Sequence, residues 1–472
     1  MFLQRFLGQA LFFILVTFSL SVGAQPSEDV FPDFEPLQQG VILGRPTATE
    51  VTAHIVASEE ATFFISYGFN ANTLDRQTPY VTLAANETTQ IVMSELKPAT
   101  AYVYRVWRSV GATNDFISSD LFRFRTQQRP GNSFTFVVQA DSHLDEQSVP
   151  ELYEITLANA LADAPYFIID LGDTFMTDKL PEKNHDNIRK RYLLQRSYFS
   201  LLCHSCPLYL VLGNHDGETG CDQTGKDKSL FSWSLGFRKQ YFANPEPDGF
   251  YTGSDMKDSE LGLRQNYYAW HWGDALFIVL DPYAYTVQKP GKDSDDWGFT
   301  LGESQYQWFA QTLENSSAAF KFVFSHQIVG GDEQGRGGSE KVPYYEMGGH
   351  NQDGTWGFDT QRSGWGKPLH DLMVEHRVNV FFHGHDHFFT KQDLDGIVYQ
   401  LVPQPSHHNY KRAGQAAEYG YIDGEILPNS GHLRVQVSET EAIVDYIRAY
   451  LPADENKDRI NGTISHSYEL AQ

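Results

Sequence analysis

From residue 41 to about 126 the apolar positions fall in short runs broken by turn residues: Val51 to Val56, Thr62 to Tyr67, Gln90 to Met93, Ala101 to Trp107 and Leu121 to Arg125. Evenly spaced short strands with no 3.6-residue periodicity predict a small all-β sandwich, placed at residues 36–127. A hydrophilic stretch, Gln127-Gln128-Arg129-Pro130-Gly131-Asn132, reads as a linker. Beyond it the pattern changes, because apolar strand-like runs alternate with helical stretches. The strands are Phe134 to Gln139, Phe167 to Leu171, Leu208 to Leu212, Ala275 to Leu280, Phe320 to Phe324 and Val378 to Phe382. Helices are predicted near Pro150 to Ala162, Asn187 to Leu202, Ser304 to Leu313 and Lys367 to His376. Such alternation predicts an α/β domain with buried sheets over residues 133–450, closed by strands Leu433 to Val437 and Ala442 to Tyr446, with 451–472 as a C-terminal tail.

The first residues follow a different logic. Arg5 is the only charge before Glu28, and Leu11 to Leu20 is apolar before the small residues Gly23 and Ala24. That is the pattern of a secretory signal over residues 1–24, and the run is shorter than the ~20 residues needed to span a bilayer. The expected destination is secreted or periplasmic, with no stable membrane insertion once the signal is removed. Residues 25–35 are acidic and contain Pro, and read as a disordered lead-in.

Composition narrows the function. Lys plus Arg number 36 against 60 Asp plus Glu, a net charge of -24, so no excess cation is present for a nucleic-acid scaffold. The 17 His in so acidic a chain supply imidazole and carboxylate together, the donors of a metal site. The 3 Cys, at 203, 206 and 221, suggest one local disulfide and one leftover thiol, since a zinc site would need two more soft ligands. Sequons at Asn86, Asn315 and Asn461 matter only where the source glycosylates them.

The chemistry gathers at strand ends. The first strand of the α/β domain is followed by Asp141-Ser142-His143, the second by Gly172-Asp173, the third by Gly213-Asn214-His215-Asp216, the fifth by His326, and the last by His383-Gly384-His385-Asp386-His387. Ligands of open α/β sheets bind beyond the carboxyl ends of the strands, so these five segments point into one crevice. Together Asp141, His143, Asp173, Asn214, His326, His385 and His387 offer two carboxylates, one amide oxygen and four imidazoles. That set is enough for two metal ions sharing a carboxylate, and it suits iron, zinc or manganese almost equally.

In this order the segments resemble the calcineurin-like metallophosphoesterase superfamily. The resemblance implies a double β-sandwich flanked by helices. It implies one metal at Asp141, His143, Asp173 and His387, and a second at Asp173 as bridge, Asn214, His326 and His385. The segment Leu96 to Tyr102 resembles the tyrosine corner of fibronectin type III domains, and such a domain before the catalytic one is similar to purple acid phosphatases. Two departures stand out. Purple acid phosphatases lack a His in the first motif and carry a metal-binding Tyr three residues after the bridging Asp, whereas this chain has His143 and Met176. The tyrosinate colour is therefore expected to be absent. Other family members have an Asp at that position to orient the motif His, a task left here to Asp178 or Asp216.

Two metal ions roughly 3.5–4 Å apart clamp phosphoryl oxygens and acidify a bound water, so the expected reaction is attack of metal-bound hydroxide on a phosphate ester. The resemblance gives His215 the task of stabilising or protonating the leaving group. His383 is a candidate support for His385 or His387. His407 and His408 are candidate substrate contacts, and Lys179, Lys183 and Arg336 candidate phosphate-holding cations. Two insertions, Gly217 to Gln265 and Gly330 to Gly366, are expected to wall the pocket, the second with Tyr344, Tyr345, Trp356 and Trp365. The leading reading is an exported binuclear phosphatase acting on a small phosphorylated substrate. A phosphodiesterase or nucleotidase using the same site, and a catalytically silent binding or adhesion protein, remain as alternatives. Oligomeric state is left open.

Overall fold

The computed structural model describes residues 40–472 apart from 112, 114, 225–227, 289–295 and 331–334. The expected signal and lead-in lie outside the described residues. Among those described, no helix is long and apolar enough to cross a membrane.

The N-terminal region is the expected pair of β-sheets. Val41–Gly44, Val51–Val56 and Thr88–Met93 form one, and the long strands Ala61–Gly68 and Ala101–Val110 centre the other. Along Ala101–Val110 the residues Tyr102, Tyr104 and Val106 turn inward while Val103 and Arg105 do not, the two-residue period of a half-buried strand. They pack on Val51, Ala53 and Ile55 of the facing sheet. The Lys97 N–H donates to the Tyr102 hydroxyl at 2.8 Å, which is the tyrosine corner read from the sequence.

The catalytic region has four layers. A six-stranded sheet orders its strands Leu208–Leu210, Ile168–Asp170, Phe134–Gln139, Gly431–Val437, Glu441–Arg448, Ile464–Ala471. An eight-stranded sheet has Ala275–Val279, Phe320–Phe324, Val380–His383 and Ile397–Leu401 as parallel neighbours at its centre. The inner faces meet in an aromatic layer that includes Phe136, Phe167, Phe277, Phe322, Phe324 and Phe382. Alternate residues face out. Val137, Ile168 and Leu208 pack on the helices Pro150–Ala162 and His185–Cys203, and Leu276, Ile278 and Phe381 on Glu303–Glu314 and Leu369–Glu375. This is the double β-sandwich flanked by helices.

Two expectations need correction, the C-terminal tail and the local disulfide, and the first insertion carries a helix. Residues after 450 are no loose tail, because Ile464–Ala471 alternates exposed and half-buried positions and pairs with Glu441–Arg448 as the sheet's edge. The insertion after Gly217 is built around the helix Lys228–Tyr241, anchored by a buried Glu218–Arg238 pair at 2.7 Å. No disulfide forms. The Cys203 and Cys206 thiols are buried in the helix-on-sheet core, and Cys221 lies elsewhere, its thiol donating to the Thr286 carbonyl at 3.3 Å.

The two regions are joined through polar groups as well as packing. The buried Arg196 guanidinium donates to the carbonyls of Gly40, His54 (2.7 Å) and Tyr241 (2.5 Å). The Tyr104 hydroxyl donates to the His204 carbonyl at 2.6 Å.

Candidate metal centre

Because Phe134–Gln139, Ile168–Asp170 and Leu208–Leu210 are parallel, as are Phe320–Phe324 and Val380–His383, the loops leaving their carboxyl ends converge. All seven expected ligands lie there. Two groups gather ligand atoms within 4.8 Å of one another: Asp141, His143 and His387, and Asp173, His326 and His385. Asp141 Oδ1 lies 3.5 Å from His387 Nε2 and 3.8 Å from both His143 Nε2 and His326 Nε2. Asp173 Oδ2 lies 3.4 Å from His326 Nε2 and 4.0 Å from His143 Nε2, so Asp173 faces both groups, as a bridge must.

The local backbone is unusual. Asp141 (φ 58°), His143 (52°), Asp173 (50°), His385 (76°) and His387 (62°) all occupy the left-handed region that non-glycine residues rarely adopt. Three glycines permit the close approach. A Cβ on Gly384 would sit 2.6 Å from Asp141 Oδ2, and Gly172 and Gly213 press backbone against backbone beside Asp173.

The donor set fits metal ions. Among the described residues, Asp141 Oδ1, His143 Nε2, Asn214 Oδ1, His326 Nε2 and both ring nitrogens of His385 are buried without a hydrogen-bond partner. Buried polar atoms are normally satisfied, so unpartnered ones aimed at a common point mark a cation site. Two rings are oriented for it. His143 Nδ1–H donates to Asp145 at 3.1 Å and His326 Nδ1–H to the Leu171 carbonyl at 2.8 Å, and each arrangement presents Nε2 as a bare lone pair.

Electrostatics agree. Burial opposes charge on His143 and His326, yet the neighbouring carboxylates push them up to about 10 and about 9. Burial also opposes the Asp141 and Asp173 charges, but the surrounding imidazoles hold both carboxyls well below their usual range. Protons therefore hold the place a metal would take, and metal binding must release them. His385 is driven well below its usual value by burial, then by His326 and Arg336, and is a ready neutral ligand.

His215 is half-buried beside this cluster. Its N–H donates to Asp173 Oδ1 at 2.8 Å, and its Nδ1–H donates to Asp178 at 3.0 Å. Asp178 therefore takes the orienting role that Met176 cannot. Among the described residues Asp216 supports no imidazole. It is buried and accepts the N–H groups of Gly213 (2.9 Å), Thr174 (3.0 Å) and Phe175 (2.7 Å), clamping two ligand loops together. His383, expected behind His385 or His387, donates to neither among the described residues. Its Nε2 is buried without a partner, and burial lowers it to about 3.

A cavity of about 470 Å³ opens over His143, Asp173, His215 and His387 and is edged by Lys179 and Arg336. Lys183 is exposed and does not line it. His407 and His408 stack on each other at 5.4 Å and do not line it either. From the second insertion Arg336 reaches the site, whereas Tyr345 packs on Trp297 and Trp365 on Tyr306. Sequence reasoning missed Asp145 and Arg191. The Arg191 guanidinium donates to the carbonyls of His143, Leu144 (2.8 Å) and Phe175 (3.0 Å). Only Asp145 left a signal, a carboxylate two residues after a ligand His.

A four-layered α/β fold whose strand ends carry two His/Asp metal groups and an Asp-oriented His defines a metal-dependent hydrolase of phosphoric esters. The family model described as "Calcineurin-like phosphoesterase" matches residues 134–389, and the chain belongs to that family. Among solved structures, one titled "Structure of PhoD" is 15% identical with a TM-score of 0.65, covering 93% of this chain and 91% of that one. The purple acid phosphatase PPD1 from yellow lupin (Lupinus luteus) seeds is 13% identical with a TM-score of 0.58, covering 91% of this chain and 74% of that one. Both likenesses are of fold. No curated protein matches the chain.

Proposed function

We propose that this metallophosphoesterase is exported and hydrolyses a small phosphorylated substrate with two metal ions, drawn from iron, zinc and manganese. The observation that carries the reading is the convergence of unpartnered ligand atoms from Asp141, His143, Asn214, His326 and His385 on carboxylates that face both groups. Asp141, His143, Asp173 and His387 would hold one ion, and Asp173, Asn214, His326 and His385 the other. When bound, such ions supply Lewis acidity to phosphoryl oxygens and acidify water. The chain's own residues do the rest. Lys179 and Arg336 draw the anion into an otherwise acidic protein. Asp178 keeps a proton on His215 Nδ1 and leaves Nε2 facing the cavity, where a protonated ring can pass a proton to the departing oxygen.

Export rests on the N-terminal pattern, and comparing the residues retained in purified extracytoplasmic protein with those encoded is its check. For hydrolysis the test is metal-loaded protein against a panel of monoesters, diesters and nucleotides, with Asp173→Asn as control. Turnover by the wild type and loss of at least a thousandfold in the variant are expected. Normal turnover by Asp173→Asn would sink the bridging assignment, and no turnover on any ester with metal bound would favour a binding protein.

A further inference from the structure

The centre opens into two lobes. The first is the 470 Å³ cavity, which runs outward past Glu146, Gln147 and Pro181. The second, of about 310 Å³, lies beyond Asn214 and is walled by Thr219, Cys221, Tyr283, Thr286 and Gln327. Lys179, His215, Arg336 and His385 line both. Either volume alone reaches the ~300 Å³ lower end of ordinary small-molecule sites. The point at which both meet is also the point at which metal ligands, His215 and the cations meet.

A monoester has one substituent on phosphorus and would leave one lobe to water. A diester has two. The lobes also differ in chemistry, since hydroxyls, an amide and a thiol line the second, with no carboxylate among its described lining residues.

We propose, resting on the hydrolase reading above, that the substrate is a phosphodiester with one ester group in each lobe. Water forms one bond to phosphorus, and the bond from phosphorus to one ester oxygen breaks. One proton of the water ends on the leaving alcohol, delivered at His215 Nε2, and the other on the phosphomonoester product or in solvent.

The test uses the full chain loaded with manganese or zinc and two probes with the same leaving group, p-nitrophenyl phosphate and thymidine 5′-p-nitrophenyl phosphate. The diester is expected to show a kcat/KM at least tenfold higher. Cys221→Trp narrows the second lobe, and is expected to lower diester kcat/KM at least tenfold more than it lowers monoester kcat/KM. Alkylating Cys221 in the folded wild type repeats the test without a folding step, because Cys203 and Cys206 are buried. A monoester preference, or a blocked lobe that changes both probes equally or neither, overturns the proposal and leaves the hydrolase reading standing. Failure to cleave either probe with metal bound overturns both.

Discussion

Asp145 is the residue through which the metal centre is most directly tested, because it acts on a ligand without being one. One carboxylate oxygen accepts His143 Nδ1–H at 3.1 Å, and the other accepts the Gln147 N–H at 3.0 Å and the Ser148 hydroxyl at 3.3 Å. The side chain is thus held before it holds the ring. Replacing it with Asn keeps the shape and one acceptor, which can serve His143 or Gln147 but not both, and removes the charge that raises the basicity of Nε2. A lost charge-assisted hydrogen bond is worth about 1.5–3 kcal/mol, and loss of a partner behind a ligand His costs roughly 10–100-fold in metal affinity. At ~1.4 kcal/mol per tenfold the two ranges coincide, so Asp145→Asn is expected to weaken one metal by ten- to a hundredfold. Calorimetric titration of apo-protein with zinc or manganese reads this as one weakened step. The step assigned to Asp173, His326 and His385 should change far less. Glu146→Gln removes a neighbouring charge that makes no such bond and controls for net charge. Affinities within twofold of wild type for Asp145→Asn, at unchanged melting temperature, would refute the triad of metal, His143 and Asp145.

Three further outcomes follow from geometry. Tyr102→Phe leaves the Lys97 N–H without its acceptor and is expected to cost about 1–2 kcal/mol in denaturant unfolding; an unchanged midpoint would count against the tyrosine corner as a stabilising contact. Gly384→Ala drives a Cβ to 2.6 Å from Asp141 Oδ2 and 2.8 Å from Ala140 Cβ, so about 1–3 kcal/mol of strain and reduced metal content are expected. Full metal occupancy in that variant would contradict the packing. Asp170 is raised to about 6 by burial, only partly offset by bonds from Thr174 and Gln139. With an unfolded value of ~3.9, the native state holds this proton more tightly, so apo-protein stability should fall by about 3 kcal/mol as pH rises from ~4 to ~6. Asp170→Asn should flatten that part of the profile, and parallel wild-type and variant curves would rule the assignment out.

How much was legible depended on range in the chain. Phe136, Phe277 and Phe322 sit in uninterrupted apolar runs, and such runs fix where buried strands lie whatever they pair with. The ligands were legible because each follows directly on such a run. Edge strands carry no such signal: Ile464–Ala471 mixes His466, Ser467 and Glu469 among its apolar residues, since its outer side meets water. The roles of Asp178 and Asp216 could not be separated in advance, because each depends on the spatial meeting of two loops about forty residues apart. Arg191 was invisible for the same reason, as its partners are backbone carbonyls and leave no trace in residue type.

Those unseen contacts explain how the site tolerates its backbone. Left-handed conformations at Asp141, His143, Asp173, His385 and His387 each cost on the order of 1 kcal/mol or more, and such strain persists only where the surroundings over-determine the chain. Here they do. Arg191 holds the carbonyls around His143, Asp216 ties the Asp173 loop to the Asn214 loop, and the His385 N–H donates to Asp141 at 2.9 Å across the two sheets. The helix that carries Arg191 also carries Arg196, whose guanidinium binds Gly40 and His54 of the β-sandwich. One helix therefore spans from the N-terminal domain to the first metal loop, so the sandwich buttresses the element that holds the strained ligands in place.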